Sequence, residues 1–206
     1  MISLFIAQSN SMILKKHFYF LFFISVNLFS CQKDMRLFEQ DPTVFLTEYG
    51  KKNPENEVVI KTVGGDITIR LYEKTLLHRA NFIRLVKGNY YIHRTFYRII
   101  DQTGIQGGGE YYDQLDFLVP PEYFPEITHK RGTIAMAHYD EGNPEKASSP
   151  TEFYIITNEK EAQKLNGNYV VFGEVIKGMD IIDKIQQAKE YYEKPAVPVF
   201  FRIELP

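Results

Sequence analysis

The chain has 206 residues and a formal net charge of -2, with 44% hydrophobic and 24% charged residues, one cysteine and no tryptophan. That length supports one domain of ordinary size plus an appendage, with a core large enough to need no covalent staples. The charge balance excludes a dominant nucleic-acid partner, which would require clustered positive charge, and the single cysteine excludes disulfides and cysteine-rich zinc sites.

In chain order, Lys15 and Lys16 precede FYFLFFISVNLF, an almost wholly apolar run of 12 residues from Phe18 to Phe29. A spanning helix needs roughly 20 apolar residues, so this run is too short for a membrane helix and has the make-up of an export signal. It ends in Leu28, Phe29, Ser30 and then Cys31, which resembles a bacterial lipoprotein signal whose cysteine becomes lipidated. Residues 1–30 are therefore expected to be a removable lipoprotein signal peptide. Of 206 residues, removing 30 leaves 176, and losing two lysines and no carboxylate takes the net charge from -2 to -4. Several acyl chains anchor stably where one is marginal. The expected location is the cell envelope, lipid-anchored through Cys31 to a bacterial membrane, on the periplasmic side or at the outer membrane.

Residues 31–56 read as a tether with a short helix, Asp41 as N-cap, Pro42 in the first position and Gly50 as terminator. The folded domain is expected over 57–206. VVIKTV (58–63) and DITIRLY (66–72) flank Gly64-Gly65, and the second run alternates Ile67, Ile69 and Leu71 against polar neighbours, which predicts an antiparallel hairpin with one buried face. Thr75 is placed to cap a helix to Lys87, with Leu76, Ala80, Ile83 and Val86 on one stripe and Gly88 as its stop. Further β-like runs lie at 95–100, 132–137, 153–157 and 169–175. A second helix is expected over 178–190, and VPVFFRIEL closes the chain as a strand. Many strands, few helices and no repeated βα alternation predict an antiparallel barrel or sandwich with helices packed outside it.

The residues alone exclude several chemistries. Gln106-Gly107-Gly108-Gly109 reads as a glycine-rich turn, but Glu110-Tyr111 follow where a phosphate loop needs Lys and Ser or Thr. The histidines at 17, 78, 93, 129 and 138 form no pair at helix or hairpin spacing, so no metal site is expected. No Gly-x-Ser-x-Gly elbow is present.

Read in order, NFIRL (81–85), FYRII (96–100), IQGGG (105–109), KRGTIAMA (130–137), KASSPTEFYI (146–155) and NGNYVVFGEVIKGMDIIDKI (166–185) resemble the successive motifs of the cyclophilin-type peptidyl-prolyl cis-trans isomerases. The similarity runs over about residues 57 to 205. The resemblance implies a mainly β fold, an eight-stranded antiparallel β-barrel capped by two α-helices, acting as a monomer on proline-containing polypeptides without metal or cofactor. It implies Arg98, in FYRII, as the catalytic arginine and Gln106 as the residue that orients substrate and holds Arg98. The substrate site would comprise Thr103, Gly104, Ala137, His138, Glu152, Tyr154, Leu165 and Tyr169.

Several of these positions depart from the family's pattern. Thr103-Gly104 stand where large apolar walls are usual, which removes burial on the order of 1.5 to 3 kcal/mol per side chain unless neighbours refill the space. The insertion from Tyr111 to Pro125 is a candidate for refilling it. Lys164 occupies the place of the drug-contacting tryptophan, so tight cyclosporin binding is not expected. His138, Tyr169 and Tyr97 replace other polar residues. Glu152 replaces a glutamine and is expected to pair with Arg98 in competition with substrate. Two alternatives stay open: a catalytically weak proline-peptide-binding module or holdase, and a structural envelope lipoprotein.

Overall fold

The structure is a computed structural model that describes residues 41–109 and 117–206. The signal segment, Cys31 and residues 110–116 of the insertion lie outside the described residues. Helix α1 spans Pro42–Lys52, strand β1 Glu57–Thr62, β2 Gly65–Leu71, helix α2 Leu76–Lys87, β3 Arg94–Ile100, β4 Gly104–Gly108, β5 Thr133–Met136 and β6 Glu152–Ile156. The one-turn helix α3, Glu159–Ala162, then leads through a 3₁₀ turn to β7 Val171–Lys177 and α4 Met179–Gln186. The two-residue strands β8 Glu190–Tyr191 and β9 Lys194–Pro195 form a small hairpin before β10, Val199–Glu204.

Eight strands close an antiparallel barrel in the order β1-β10-β3-β4-β6-β5-β7-β2, as expected for the fold class, and four α-helices rather than two accompany it among the described residues. In β2 the buried residues are Ile67, Ile69 and Leu71 while Asp66 and Arg70 face water, the period of two that a half-buried strand requires. The same alternation sends Phe96, Ile105, Phe153, Ile155, Phe172 and Phe201 inward, all buried. Phe153 sits in their middle, with Phe82, Tyr91, Phe96 and Phe201 at centroid distances of 5.6, 5.9, 6.2 and 5.9 Å. Phe82 comes from α2, so that helix closes one end of the barrel, and Asn81 fastens it there by donating to the Pro150 carbonyl just before β6. At the other end α4 buries Ile181, Ile182 and Ile185. Its Gln186 accepts from Thr157, just after β6, and donates to the Ile100 carbonyl.

Five local expectations are corrected. Gly50 does not end α1; it lies inside the helix facing Leu76 and Ala80 of α2, and Asn53 caps the end. The α1 helix is packed, with Leu46 buried against Leu77, Ala80 and Val119. Because α2 has the barrel on one side and α1 with the 117–122 segment on the other, residues 77–86 are buried all round instead of along a single stripe. Buried Arg79 donates to the Gly50, Asn53 and Glu55 carbonyls, satisfying one acceptor that the last turn of α1 leaves without an intrahelical partner and two of the segment that follows the helix.

Thr75 begins α2 without a side-chain bond to it. Glu122, remote in sequence, takes that part: its carboxylate accepts from the backbone N–H groups of Leu77 and His78 and from the His78 ring at 3.0, 3.0 and 2.7 Å, where the helix dipole favours negative charge. The IQGGG segment is strand β4, paired on both edges with β3 and β6. The last long helix stops at Gln186, four residues early, and Glu190, the last residue of the expected span, already opens the β8–β9 hairpin.

Candidate active site

The outer face of the barrel carries the site. Residues in register across neighbouring strands point to the same face, and the ladder aligns Arg98 with Gln106, Gln106 with Tyr154, Tyr154 with Ala135, and Ala135 with Val171. One row therefore runs over β3, β4, β6, β5 and β7, from a guanidinium through an amide to an aromatic and small apolar floor. Strands repeat every ~4.8 Å, so the Arg98 and Tyr154 backbones are about 10 Å apart, within reach of an arginine leaning over Gln106.

A bulge aims the cationic end. The β3–β4 register slips between Phe96 and Arg98, leaving Tyr97 as an extra residue. The extra residue breaks the alternation, so Phe96 enters the core while Tyr97 and Arg98 both join the outer network. Arg98 donates from Nη1 to Gln106 Oε1 at 3.2 Å, and Gln106 donates from Nε2 to the Tyr97 hydroxyl at 2.8 Å. Tyr97 in turn donates to Glu152 Oε1 at 2.8 Å, and Tyr139 donates to the other carboxylate oxygen at 2.6 Å. The chain of donors ends on a carboxylate that only accepts, which fixes the direction of each bond and the orientation of the Gln106 amide. Burial, reinforced by the Glu152 charge, pushes the Tyr97 phenol far up, so it stays a donor.

The expected Glu152–Arg98 pair is thus absent. Glu152 is 4% exposed and committed to two tyrosines. Arg98 is paired instead with Glu193, whose Oε2 accepts from Nε at 2.7 Å, both side chains being nearly half exposed.

The apolar end joins Ala135, Tyr154, Ile156, Ala162 and Val171, with Ala137, Leu165 and Tyr169 packed against them. Burial raises the Tyr154 hydroxyl well above its ordinary range, and that hydroxyl meets His129 Nε2 at 2.9 Å. His129 Nδ1 lies 2.9 Å from Asn166 Oδ1, an acceptor, so Nδ1 carries the proton and Nε2 accepts from Tyr154. His138 stacks on Tyr169 at 4.2 Å and its Nε2 donates to the Asn168 carbonyl. Burial raises the Tyr169 hydroxyl; the Asp140 charge adds to the shift and the Arg98 charge opposes it.

Two expected wall positions lie elsewhere. Thr103 is folded into the β3–β4 turn, its carbonyl accepting from Thr157 and Asn158. At Gly104 an added Cβ would stand 2.1 Å from the Ile155 carbonyl oxygen, so the strand spacing there admits only glycine, and the position is not a shortened pocket wall. Of the insertion, Phe117 packs against Arg84 and the α1–α2 cluster. Tyr123, Phe124 and Pro125 wall a cavity of about 260 Å³ together with Tyr169 and Val171, beyond the end of the row.

Residue-by-residue sequence reading missed Glu193, Tyr139, His129 and Asn166. His129 gives a pH prediction. Burial holds its pKa below the ordinary 6.5 against the smaller effect of Asn166, so the unfolded chain takes up more protons as the solution acidifies. The stability contributed by this ring is intact above the ordinary value and is lost as pH falls below it. The urea midpoint should drop between about pH 7.5 and about pH 5, and drop less in His129→Gln; equal drops would remove His129 as a source.

The profile described as "Cyclophilin type peptidyl-prolyl cis-trans isomerase/CLD" matches residues 57–203. An Acinetobacter baylyi protein named peptidyl-prolyl cis-trans isomerase is 38% identical over 136 residues, covering 62% of this chain and 70% of that protein. Among solved structures, a cyclophilin type peptidyl-prolyl cis-trans isomerase from Cryptosporidium parvum is similar with a TM-score of 0.64 and 25% identity, over 72% of this chain and 96% of that one. A second structure of that protein, determined in the presence of the dipeptide Ala-Pro, has a TM-score of 0.62 and 25% identity, covering 73% of this chain and 98% of that one.

Proposed function

The chain belongs to the cyclophilin-type peptidyl-prolyl cis-trans isomerase family, and from that premise we propose that it speeds rotation about Xaa-Pro bonds with Arg98 as the electrostatic group. An Xaa-Pro amide resists twisting because rotation destroys resonance; the barrier is roughly 18–20 kcal/mol and uncatalysed exchange takes tens to hundreds of seconds. Halfway round, the lone pair returns to the prolyl nitrogen. A fixed cation donating toward that nitrogen stabilises the twisted amide more than either planar form, which is what lowers a barrier. No bond is made or broken, so no acid, base or cofactor is required.

The observation that carries this reading is the Arg98–Gln106 hydrogen bond in register with Tyr154. The apolar floor of Tyr154, Ala135 and Val171 suits a pyrrolidine ring, while Gln106 and the guanidinium face the amide. Among the described residues Arg98 spends Nε on Glu193 and one Nη1 hydrogen on Gln106, which leaves the Nη2 hydrogens for substrate. Two-dimensional exchange NMR on a proline peptide with a small fraction of protein should show accelerated cis-trans exchange. Exchange no faster than in peptide alone overturns the enzyme; binding without acceleration would favour a holdase.

The envelope setting rests on the sequence: an apolar run of 12 residues behind two lysines, ending at Cys31. The clients would then be proteins folding outside the cytoplasm. Labelling with a fatty acid should mark the wild type and not Cys31→Ser, and equal labelling of the two refutes anchoring at this residue.

A further inference from the structure

The β8–β9 hairpin breaks a local rule at the point where it meets the site. Its two-residue loop, Tyr192-Glu193, has both residues at positive φ, 52° and 66°. Such loops ordinarily use Asn-Gly or another glycine-containing pair, because side chains resist that backbone. Unfavourable backbone of this kind persists where the surroundings hold it in place, and it concentrates at functional sites. Here the surroundings are β3: the Glu193 carbonyl accepts from Ile99 N–H at 2.6 Å, and the Glu193 N–H is held by the Glu190 carboxylate. The residue so fixed is the one whose carboxylate meets Arg98 Nε at 2.7 Å.

We propose that Glu193 is a positioning residue for Arg98: with Gln106 on Nη1, it pins the guanidinium at a second nitrogen and sets the plane in which the free Nη hydrogens meet the substrate amide. A planar group held at one nitrogen can still swing about that contact, whereas two contacts on different nitrogens leave it a single orientation. Gln106 is itself oriented by the Tyr97–Glu152 relay, so both contacts are anchored, one in the barrel wall and one in the hairpin. An exposed ion pair of this kind adds little to folding stability, and the energy of keeping Tyr192 and Glu193 in left-handed backbone is better explained by the orientation it gives Arg98. The proposal rests on Arg98 being the electrostatic group.

The test uses the full chain, ¹⁵N-labelled, with a proline peptide. Exchange NMR yields the isomerisation rate of bound peptide separately from its Kd, and the Arg98 Hε resonance reports the pairing. Glu193→Ala should slow bound-state isomerisation about five- to tenfold, leave Kd within about twofold, and erase a protected Arg98 Hε signal. Glu193→Gln, which keeps an acceptor oxygen at the same reach, should recover most of the lost rate. A Glu193→Ala rate equal to wild type, with Arg98→Ala slow, overturns the Glu193 role and leaves the proposed activity standing. A wild-type rate in Arg98→Ala overturns both. A Glu193→Ala loss that Glu193→Gln does not recover, with a lowered melting temperature, means that the hairpin is merely structural and also overturns the proposal.

Discussion

Replacing Arg98 by alanine is expected to lower kcat/KM for a proline peptide by about 10² to 10³, the usual cost of deleting one preorganised donor at a developing charge. The fold should survive. Arg98 lies on the outer face with its side chain 44% exposed, and its ion pair with Glu193 is equally open to water; such pairs contribute about 0–1 kcal/mol to stability. The melting temperature should therefore fall by no more than about 2–4 °C. Arg98→Lys is the sharper control, because an ammonium keeps the charge but lacks the planar fork that reaches Gln106 and Glu193 together. It should recover only part of the rate. Activity of Arg98→Ala within twofold of wild type would remove the guanidinium from the mechanism.

The largest effect on stability should come from Phe153→Ala. The ring is fully buried and touches Phe82 of α2 and three further aromatic rings of the core. Removing it opens a cavity that β-sheet backbone cannot collapse to fill, and Phe→Ala changes of this kind cost about 3–5 kcal/mol. For a domain of this size each kcal/mol lowers the melting temperature by about 2–4 °C, so a fall of roughly 6–20 °C is expected. Phe153→Leu, which keeps most of the volume, should lose less. A fall below about 2 °C in Phe153→Ala would mean that the aromatic cluster does not hold the barrel end.

These two residues also mark what the sequence discloses. Alternation in DITIRLY shows which face of β2 is buried because the period of two is dictated by the pleat, and the motifs around Arg98 and Gln106 fix their place in the family's order. The glycines of IQGGG hid a strand, since glycine carries no strand preference and this segment is held by pairing on both edges. Glu193 was illegible for a different reason. Tyr-Glu is not a turn dipeptide, and nothing local announces a hairpin whose backbone is stabilised by Ile99, some ninety residues away. Complementary charge suggests a Glu152–Arg98 pair, but the bulge brings the Tyr97 hydroxyl to the Glu152 carboxylate and leaves Arg98 to another partner. Glu122 was overlooked because capping a helix from outside leaves no trace in the helix's own residues.

The bulge at Tyr97 also bears on how such a protein can diverge. Core and site occupy opposite faces of the same strands, so substitutions at Phe153 or Ile155 and at Gln106 or Tyr154 act on nearly separate properties, one on rigidity and the other on chemistry. Insertions fit readily in the segment between β4 and β5, which already carries more than twenty residues. Losing a single residue from β3 is another matter. If the residue lost were Tyr97, strict alternation would return with Phe96 inward and Arg98 still outward opposite Gln106. An inherited change of one codon would then leave a folded descendant whose Gln106 amide has lost the hydroxyl that orients it.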